Sequence, residues 1–145
     1  MKKVRDILKG KGSEIWAVSP DALVFDALRL MAEKNIGAVL VTSHGELEGI
    51  MSERDYARKI ILHGKASKDT RVRDIMSERV VTVSPDASLE YCMELMNSRH
   101  IRHLPVIENE SLAGVISIGD VVGAIIGEQQ YAIERLRAFH NYDVQ

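Results

Sequence analysis

The sequence predicts an α+β fold made of two strand–helix–strand–strand–helix (β-α-β-β-α) repeats, and three observations support this prediction. Residues 49–55, GIMSERD, return 65 residues later as residues 114–120, GVISIGD. Residues 18–22, VSPDA, return at the same offset as residues 83–87. The apolar positions between these segments keep that spacing without a gap. A fixed period of this length indicates a tandem repeat, so both halves are interpreted together.

The composition is typical of a soluble globular protein. The chain has 145 residues, of which 46% are hydrophobic and 28% charged. Because the net charge is only −2, we expect no general affinity for nucleic acid. Cys92 is the only cysteine, which excludes an internal disulfide and favours the cytoplasm. We find neither a signal-peptide core nor an apolar run of spanning length, so we expect no membrane association.

Each repeat begins with a β-rich stretch and a helix. The stretches, residues 15–18 and 80–83, end at Ser-Pro-Asp because proline cannot donate to a strand ladder. Asp21 and Asp86 are predicted to cap the helices that follow. Cys92 lies on the apolar face of the second helix, so we expect a buried core residue rather than a nucleophile. The apolar faces, at helical spacing, comprise Val24, Ala27, Leu28 and Met31, and Leu89, Cys92, Met93 and Met96.

A hairpin and a second helix complete each repeat. The predicted strands are residues 38–41 and 47–51 in the first copy, and 104–107 and 112–116 in the second. The first hairpin leads into a helix over residues 53–63, and the second into a helix from residue 118 onward. That last helix carries an apolar stripe that a second copy of the chain could cover, formed by Ala132, Ile133, Leu136 and Phe139.

The repeat boundaries follow from these elements. Residues 4–8, VRDIL, return 68 residues later as residues 72–76, VRDIM, so the first copy carries about three extra residues. Residues 9–13, KGKGS, have the composition of a loop that holds them. We therefore divide the chain into a first repeat, a second repeat and a C-terminal helical extension, which are residues 1–66, 67–127 and 128–145.

The motif Ser-x-x-Asp before an apolar helical run has two interpretations. It can be a capping box, in which Ser52 or Ser117 accepts from the third helical amide while Asp55 or Asp120 reaches back. Alternatively, the aspartate accepts hydrogen bonds from two vicinal hydroxyls, and the helix-start amides face a phosphate. The spacing alone leaves both interpretations open.

The doubled motifs, together with His103-Leu104-Pro105-Val106, resemble paired cystathionine β-synthase (CBS) domains of the small stand-alone bacterial type, also called a Bateman module. The resemblance covers residues 4–126. In that family the two copies pack about a pseudo-twofold axis and leave two clefts. These clefts bind adenosine-containing ligands such as AMP, ATP, NAD or S-adenosylmethionine. The resemblance therefore implies a regulatory module that is not an enzyme and that signals to a partner protein.

Carried onto the second copy, the resemblance assigns a ribose to Ser117 and Asp120. The adenine would lie among strand residues, namely Val81, Thr82, Val83, Leu104, Pro105 and Ile116. Because proline has no N–H, Pro105 would leave backbone groups of the neighbouring strand unpaired and free to bind the edge of the base.

In the first copy, the resemblance gives the ribose role to Ser52 and Asp55. Here the chain departs from the family pattern, because Leu40 replaces Pro105 and Gly37-Ala38 replaces Arg102-His103. The base wall of the first copy would be Trp16, Ala17, Val18, Ala38, Val39 and Met51.

The candidates for binding ligand phosphates come from both copies and are Arg54, Lys68, Arg102 and His103. Lys59, whose counterpart in the second copy is Ala124, is explained equally well as a surface charge.

Two other classes of function are alternatives to a regulatory module. An enzyme acting on a nucleotide requires a metal cluster or an activated nucleophile, and the sequence offers neither. His100 and His103 have no cysteine or carboxylate at ligand spacing, so no metal is expected. A structural interaction module would use the Ser-x-x-Asp motifs as helix caps alone. We expect the chain to form a homodimer, because two copies can bury their apolar helical faces against each other.

Overall fold

The computed structural model describes residues 2–12 and 14–144, with side chains to residue 138. The chain divides into two units. The first-repeat unit contains residues 14–82 and 109–112, and the second-repeat unit contains residues 1–13, 83–108 and 113–145. The predicted α+β class is confirmed. The elements in chain order are α1 Val4–Lys11, β1 Ala17–Val18, α2 Val24–Lys34, β2 Ala38–Ser43, β3 Glu46–Ser52, α3 Glu53–Tyr56, α4 Leu89–Arg99, β4 His103–Glu108, β5 Ser111–Ser117 and α5 Ile118–Val144.

The first-repeat unit contains a three-stranded sheet in the order β1-β2-β3. Strand β1 runs parallel to β2 with Ala17 opposite Leu40, and β2 runs antiparallel to β3 with Val39 opposite Met51. The Leu40 N–H extends the parallel pairing by donating to the Trp16 carbonyl at 3.1 Å.

In the second-repeat unit, β4 and β5 form a two-stranded sheet. The predicted strand over residues 80–83 is wrong, because only a single parallel bridge joins Val83 to Val106. Pro105 stands where Leu40 stands in the first copy and has no N–H, so the equivalent of the Leu40 bond cannot form. Strand pairing at this position therefore shrinks to the two bonds that Val83 makes with Pro105 and Ile107.

The apolar helix faces predicted from the sequence form the cores. In α2, Val24, Ala27 and Met31 are buried, and Leu28 packs against the same cluster. In α4, Leu89, Cys92 and Met96 are at most 2% exposed, which confirms the buried position of the single cysteine. Met93 is half-buried.

The prediction that Asp21 and Asp86 cap these helices is wrong. Helix α2 begins after Leu23, and α4 is capped by Ser88, whose Oγ accepts from the Tyr91 N–H at 3.1 Å. The aspartates lie in turns before the helices, where their N–H groups donate to Ser19 and Ser84. Their carboxylates are instead paired with arginines, Asp21 with Arg73 and Asp86 with Arg5.

The VRDIL and VRDIM segments each pack on the opposite repeat. In the second-repeat unit, the N–H of Val4 donates to the Ala87 carbonyl at 3.0 Å, and the N–H of Arg5 to that of Pro85 at 2.8 Å. In the first-repeat unit, the N–H groups of Val72 and Arg73 bond in the same way to Ala22 and Pro20, at 2.8 and 2.9 Å. The two segments therefore have equivalent roles in exchanged positions.

The helices at the ends of these segments differ from the sequence prediction. Helix α1 extends to Lys11, so residues 9–11 are helical rather than part of a loop, and Gly12 ends the helix with φ +90°. The predicted helix over residues 53–63 is α-helical only to Tyr56 and continues as a π-helix, Ala57–Ile61. Gly64, with φ +68°, follows its last turn as predicted.

Helix α5 is continuous through the predicted extension. Ile133 and Leu136 of the apolar stripe are 44% and 69% exposed, and Ala132 is exposed as well. The side chain of Phe139 lies outside the described residues. Within the described part of the chain, no helix has the combination of length and apolarity that crossing a membrane requires.

Candidate functional site

The second-repeat site is defined by Ser117 and Asp120, where β5 passes into α5. Asp120 Oδ2 accepts from the Ser117 N–H at 2.8 Å, and the Asp120 N–H donates to Ser117 Oγ at 3.1 Å. This is the reciprocal geometry of a capping box, so the first interpretation of the motif is realised. The carboxylate remains 25% exposed, so it is still accessible to a ligand.

Lys11 at the end of α1 binds the same carboxylate. Its Nζ lies 2.7 Å from Asp120 Oδ2 and 3.0 Å from the Val115 carbonyl oxygen of β5. The ammonium group therefore joins the end of the strand to the start of the helix. Both the Lys11 and Ser117 bonds converge on one carboxylate oxygen.

These contacts set the ionisation of the site. Burial favours the neutral form of Asp120, but the hydrogen bonds from Lys11 and Ser117 outweigh it and lower the pKa of Asp120 below its usual value. Burial lowers the pKa of His103, and the charges of Lys11 and Arg102 lower it further against the opposing effect of Asp120. Near neutral pH the site therefore holds an ionised aspartate, two cations and a neutral histidine.

The predicted base-binding residues of the second copy lie mainly within this unit. Leu104, Pro105 and Ile116 are buried on β4 and β5, and Val83 is 5% exposed beside β4. Because their side chains are buried, these residues would contact a ligand mainly through their backbone atoms. Arg102 is exposed directly before β4, and His103 begins that strand. Thr82 is exposed and belongs to the first-repeat unit.

The first-repeat site is defined by Ser52 and Asp55, where β3 passes into α3. Asp55 Oδ2 accepts from the Ser52 N–H at 2.9 Å, and the Asp55 N–H donates to Ser52 Oγ at 3.2 Å. Lys59, one helical turn later, lies 3.3 Å from Asp55 Oδ1 and donates to the Ile75 carbonyl at 2.8 Å. Both sites thus pair the aspartate with a lysine that also binds a backbone carbonyl.

The predicted base wall of the first copy is placed less favourably for ligand contact. Lys34 lies 4.3 Å from the centre of the Trp16 ring, so an ammonium group covers one face of the indole. Met51 is fully buried in the core. Ala38 pairs with Ser52 between β2 and β3. Ala17 is exposed on β1.

The two remaining phosphate candidates lie in the first-repeat unit. Arg54 is half-buried in the first turn of α3, beside Ser52 and Asp55 in sequence. Lys68 is exposed, and its Nζ lies 5.0 Å from the centre of the Phe25 ring. Across the described ranges, no three His, Cys, Asp or Glu side chains are grouped so that they could hold a metal ion.

Lys11 is the residue of the site that sequence reasoning missed. It lies within the loop predicted over residues 9–13, and its partner Asp120 is 109 residues away. One signal was present in the sequence, because Ala124 replaces Lys59 and leaves the second aspartate without its lysine one turn later. That difference indicates that a cation from elsewhere in the chain pairs with Asp120.

Comparison with known proteins is consistent with this geometry. The CBS domain family model matches residues 4–62 and 72–127. The CBS domain-containing protein CBSX3, mitochondrial, of Arabidopsis thaliana is 42% identical over 146 residues, which cover 94% of this chain and 70% of that protein.

Solved structures share the fold. A protein with CBS domains from Burkholderia ambifaria MC40-6 is 46% identical with a TM-score of 0.86, and the match covers 88% of this chain and 96% of that one. The CBS domain pair of protein MJ0100, solved with 5′-methylthioadenosine and S-adenosyl-L-methionine, has a TM-score of 0.78 over 88% of this chain and 98% of that one. At 22% identity, this second likeness concerns the fold alone.

Proposed function

This chain belongs to the CBS domain family, and we propose that it is a regulatory module that binds an adenosine-containing ligand at its Ser–Asp pairs. The observation that carries the proposal is the second-repeat site. There, an ionised and partly exposed Asp120 stands at a helix start, in the same unit as the buried residues Leu104, Pro105 and Ile116 of β4 and β5. A carboxylate in this position can accept both hydroxyls of a ribose, since it offers about four acceptor positions.

The charges around this site favour a ligand with phosphate groups. Lys11 lies at the Asp120 carboxylate, and Arg102 is exposed directly before β4, so two cationic side chains belong to this site. The N-terminal end of α5 adds a partial positive charge. AMP or ATP fits this balance best, and NAD is a further candidate. The MJ0100 domain pair, which has the same fold and was solved with two adenosine compounds, supports the adenosine part of the proposal.

The experiment that tests this function is mass spectrometry of small molecules released from the purified protein, followed by calorimetric titration with AMP, ATP, NAD and S-adenosylmethionine. We expect saturable binding of at least one of them. If none binds, the nucleotide-sensor proposal is wrong. Nucleotide recovered unchanged after incubation would support a binding role, whereas a converted product would show an enzyme.

A second candidate function is a structural interaction module without a ligand. The observation in its favour is that both Ser–Asp pairs form complete capping boxes in this structure, and each aspartate is also paired with a lysine. The motif residues therefore have a stabilising role even when no ligand is bound. Absence of binding in the titrations above would favour this candidate.

We further propose that the chain forms a homodimer and signals to a protein that remains to be identified. Ile126, Tyr131, Ile133 and Leu136 on α5 are 58%, 62%, 44% and 69% exposed, which is a large apolar surface for one helix. Sedimentation velocity at micromolar concentration should give a dimer, and Leu136→Glu should shift it toward monomer. A monomeric native chain would contradict this proposal.

A cytoplasmic location is the final part of the proposal. Cys92 is a free, buried thiol, as is usual in reducing compartments. The relative CBSX3 is described as mitochondrial, so fractionation of the source cells must distinguish the two compartments. Recovery in the cytosolic fraction would support the proposal, and recovery in an organelle or a secreted fraction would oppose it.

A further inference from the structure

Helix α1 is packed firmly within the second-repeat unit, and this packing fixes the position of Lys11. Val4 is fully buried, and Ile7 is 8% exposed. Leu8 packs on Gly114 of β5 so closely that a Cβ at this glycine would lie 2.7 Å from Leu8 Cδ2. Lys11, one turn after these contacts, is therefore delivered to Asp120 by a docked helix rather than by a mobile tail.

The same contact pattern is built twice from positions that the repeat does not relate. In the first-repeat unit the lysine is Lys59, one turn after Asp55 on the same helical segment. In the second-repeat unit that position is Ala124, and Lys11 supplies the ammonium group from α1. Each lysine binds the aspartate and one backbone carbonyl, which accounts for two of the three donors of an ammonium group.

A ligand that binds Asp120 changes the environment of Lys11. A ribose must share the carboxylate with the ammonium group or displace it, since the bonds from Ser117 and Lys11 already converge on Oδ2. An uncharged ligand offers Lys11 no replacement for a weakened ion pair. A phosphate does offer one, and without Lys11 the ionised Asp120 would repel that phosphate.

From this geometry we propose that Lys11 determines specificity in the second-repeat site by selecting a phosphorylated adenosine ligand over an uncharged one. This inference rests on the proposed function, because it concerns the same Ser117–Asp120 site. Lys11 belongs to α1, so it contributes to a site that is otherwise formed by residues more than 70 positions later in the chain.

The test compares AMP with adenosine by calorimetry, in a background of Asp55→Asn so that binding reports the second-repeat site. Lys11→Met should raise the Kd for AMP by about tenfold or more, because a charge-assisted contact is lost. The Kd for adenosine should change by less than about twofold or fall, because no such contact to an uncharged ligand is lost. Lys11→Arg should restore the preference for AMP.

Lys9→Met is the matched control, since Lys9 is exposed two residues earlier on the same helix and its replacement removes the same charge. It should leave both affinities unchanged. If Lys11→Met does not fold, Lys11→Gln takes its place. Equal weakening of AMP and adenosine, or no weakening of AMP, would overturn the role of Lys11 while the proposed function stands. If the Asp55→Asn protein binds neither ligand, the second-repeat site and the role of Lys11 are both refuted.

Discussion

Replacing Asp120 with asparagine separates the two interpretations of the Ser-x-x-Asp motif. The asparagine can still accept the Ser117 N–H through its side-chain carbonyl, so the capping geometry is kept. The ion pair with Lys11 is lost, but Lys11 is 41% exposed, and such pairs contribute about 0.2–1 kcal/mol. Loss of the charge at the helix start costs about 0.3–1 kcal/mol more. The variant should therefore be destabilised by about 0.5–2 kcal/mol.

Ligand binding should suffer more than stability. A ribose held by Asp120 makes two hydrogen bonds to a full charge, and each such bond contributes about 1.5–3 kcal/mol. Because about 1.4 kcal/mol corresponds to a tenfold change in Kd, Asp120→Asn should weaken AMP binding at least about tenfold.

The assay is thermal melting of wild type, Asp120→Asn and Asp55→Asn with and without AMP, together with calorimetric Kd values. The Asp55 variant is the matched control, because it makes the same change in the first-repeat site. If AMP raises the Tm of Asp120→Asn as much as that of wild type, Asp120 does not hold the ligand. The assignment of the second-repeat site would then be wrong.

Three further predictions test the packing and the ionisation described above. Gly49→Ala should destabilise the protein by about 1–3 kcal/mol, and by more than Gly114→Ala does. A Cβ at Gly49 would lie 2.9 Å from the Ser77 carbonyl oxygen, whereas a Cβ at Gly114 would meet the movable end of the Leu8 side chain. Equal midpoints of the two variants in denaturant titrations would contradict this. Burial raises the pKa of the Cys92 thiol, so a thiol reagent should react with it only as fast as the protein unfolds, and rapid labelling of the native protein would contradict its buried position. The pKa of His103, measured by NMR, should lie below about 6.5 and should rise in Lys11→Met without reaching its ordinary value, because burial remains as the first cause. Since the folded pKa is lowered, protonation of His103 should reduce stability as the pH falls from its unfolded pKa through the folded one. A pKa that Lys11→Met leaves unchanged would argue against an effect of the Lys11 charge on His103.

The repeat made most of the fold predictable. Hydrophobic positions with a helical period in both copies identified the buried faces of α2 and α4, and the hairpins β2–β3 and β4–β5 were recognised because apolar runs flank polar turns. The predicted strand over residues 80–83 failed because of its pairing partner. β-branched residues favour a strand, but strand pairing also requires a donor, and Pro105 removes it.

The site was predictable where it depends on local sequence and unpredictable where it depends on distant segments. The Ser–Asp pairs close over three residues, so their geometry follows from the motif itself. The contact of Lys11 with Asp120 depends on where α1 docks, and no local pattern specifies that. The same limitation explains Asp21 and Asp86, whose arginine partners lie in the exchanged segments rather than in the adjacent helices.

The exchanged positions of the VRDIL and VRDIM segments affect how the chain can fold during its synthesis. Residues 14–82 are almost a complete unit as soon as they leave the ribosome, since only residues 109–112 of that unit come later. Helix α1 is synthesised before its partners Pro85 and Ala87, which emerge more than 70 residues afterwards. The apolar side chains of Val4 and Ile7 therefore stay exposed to solvent while the first-repeat unit forms. Closing so long a loop also delays assembly of the second-repeat unit, which makes docking of α1 a late event in the folding of this chain.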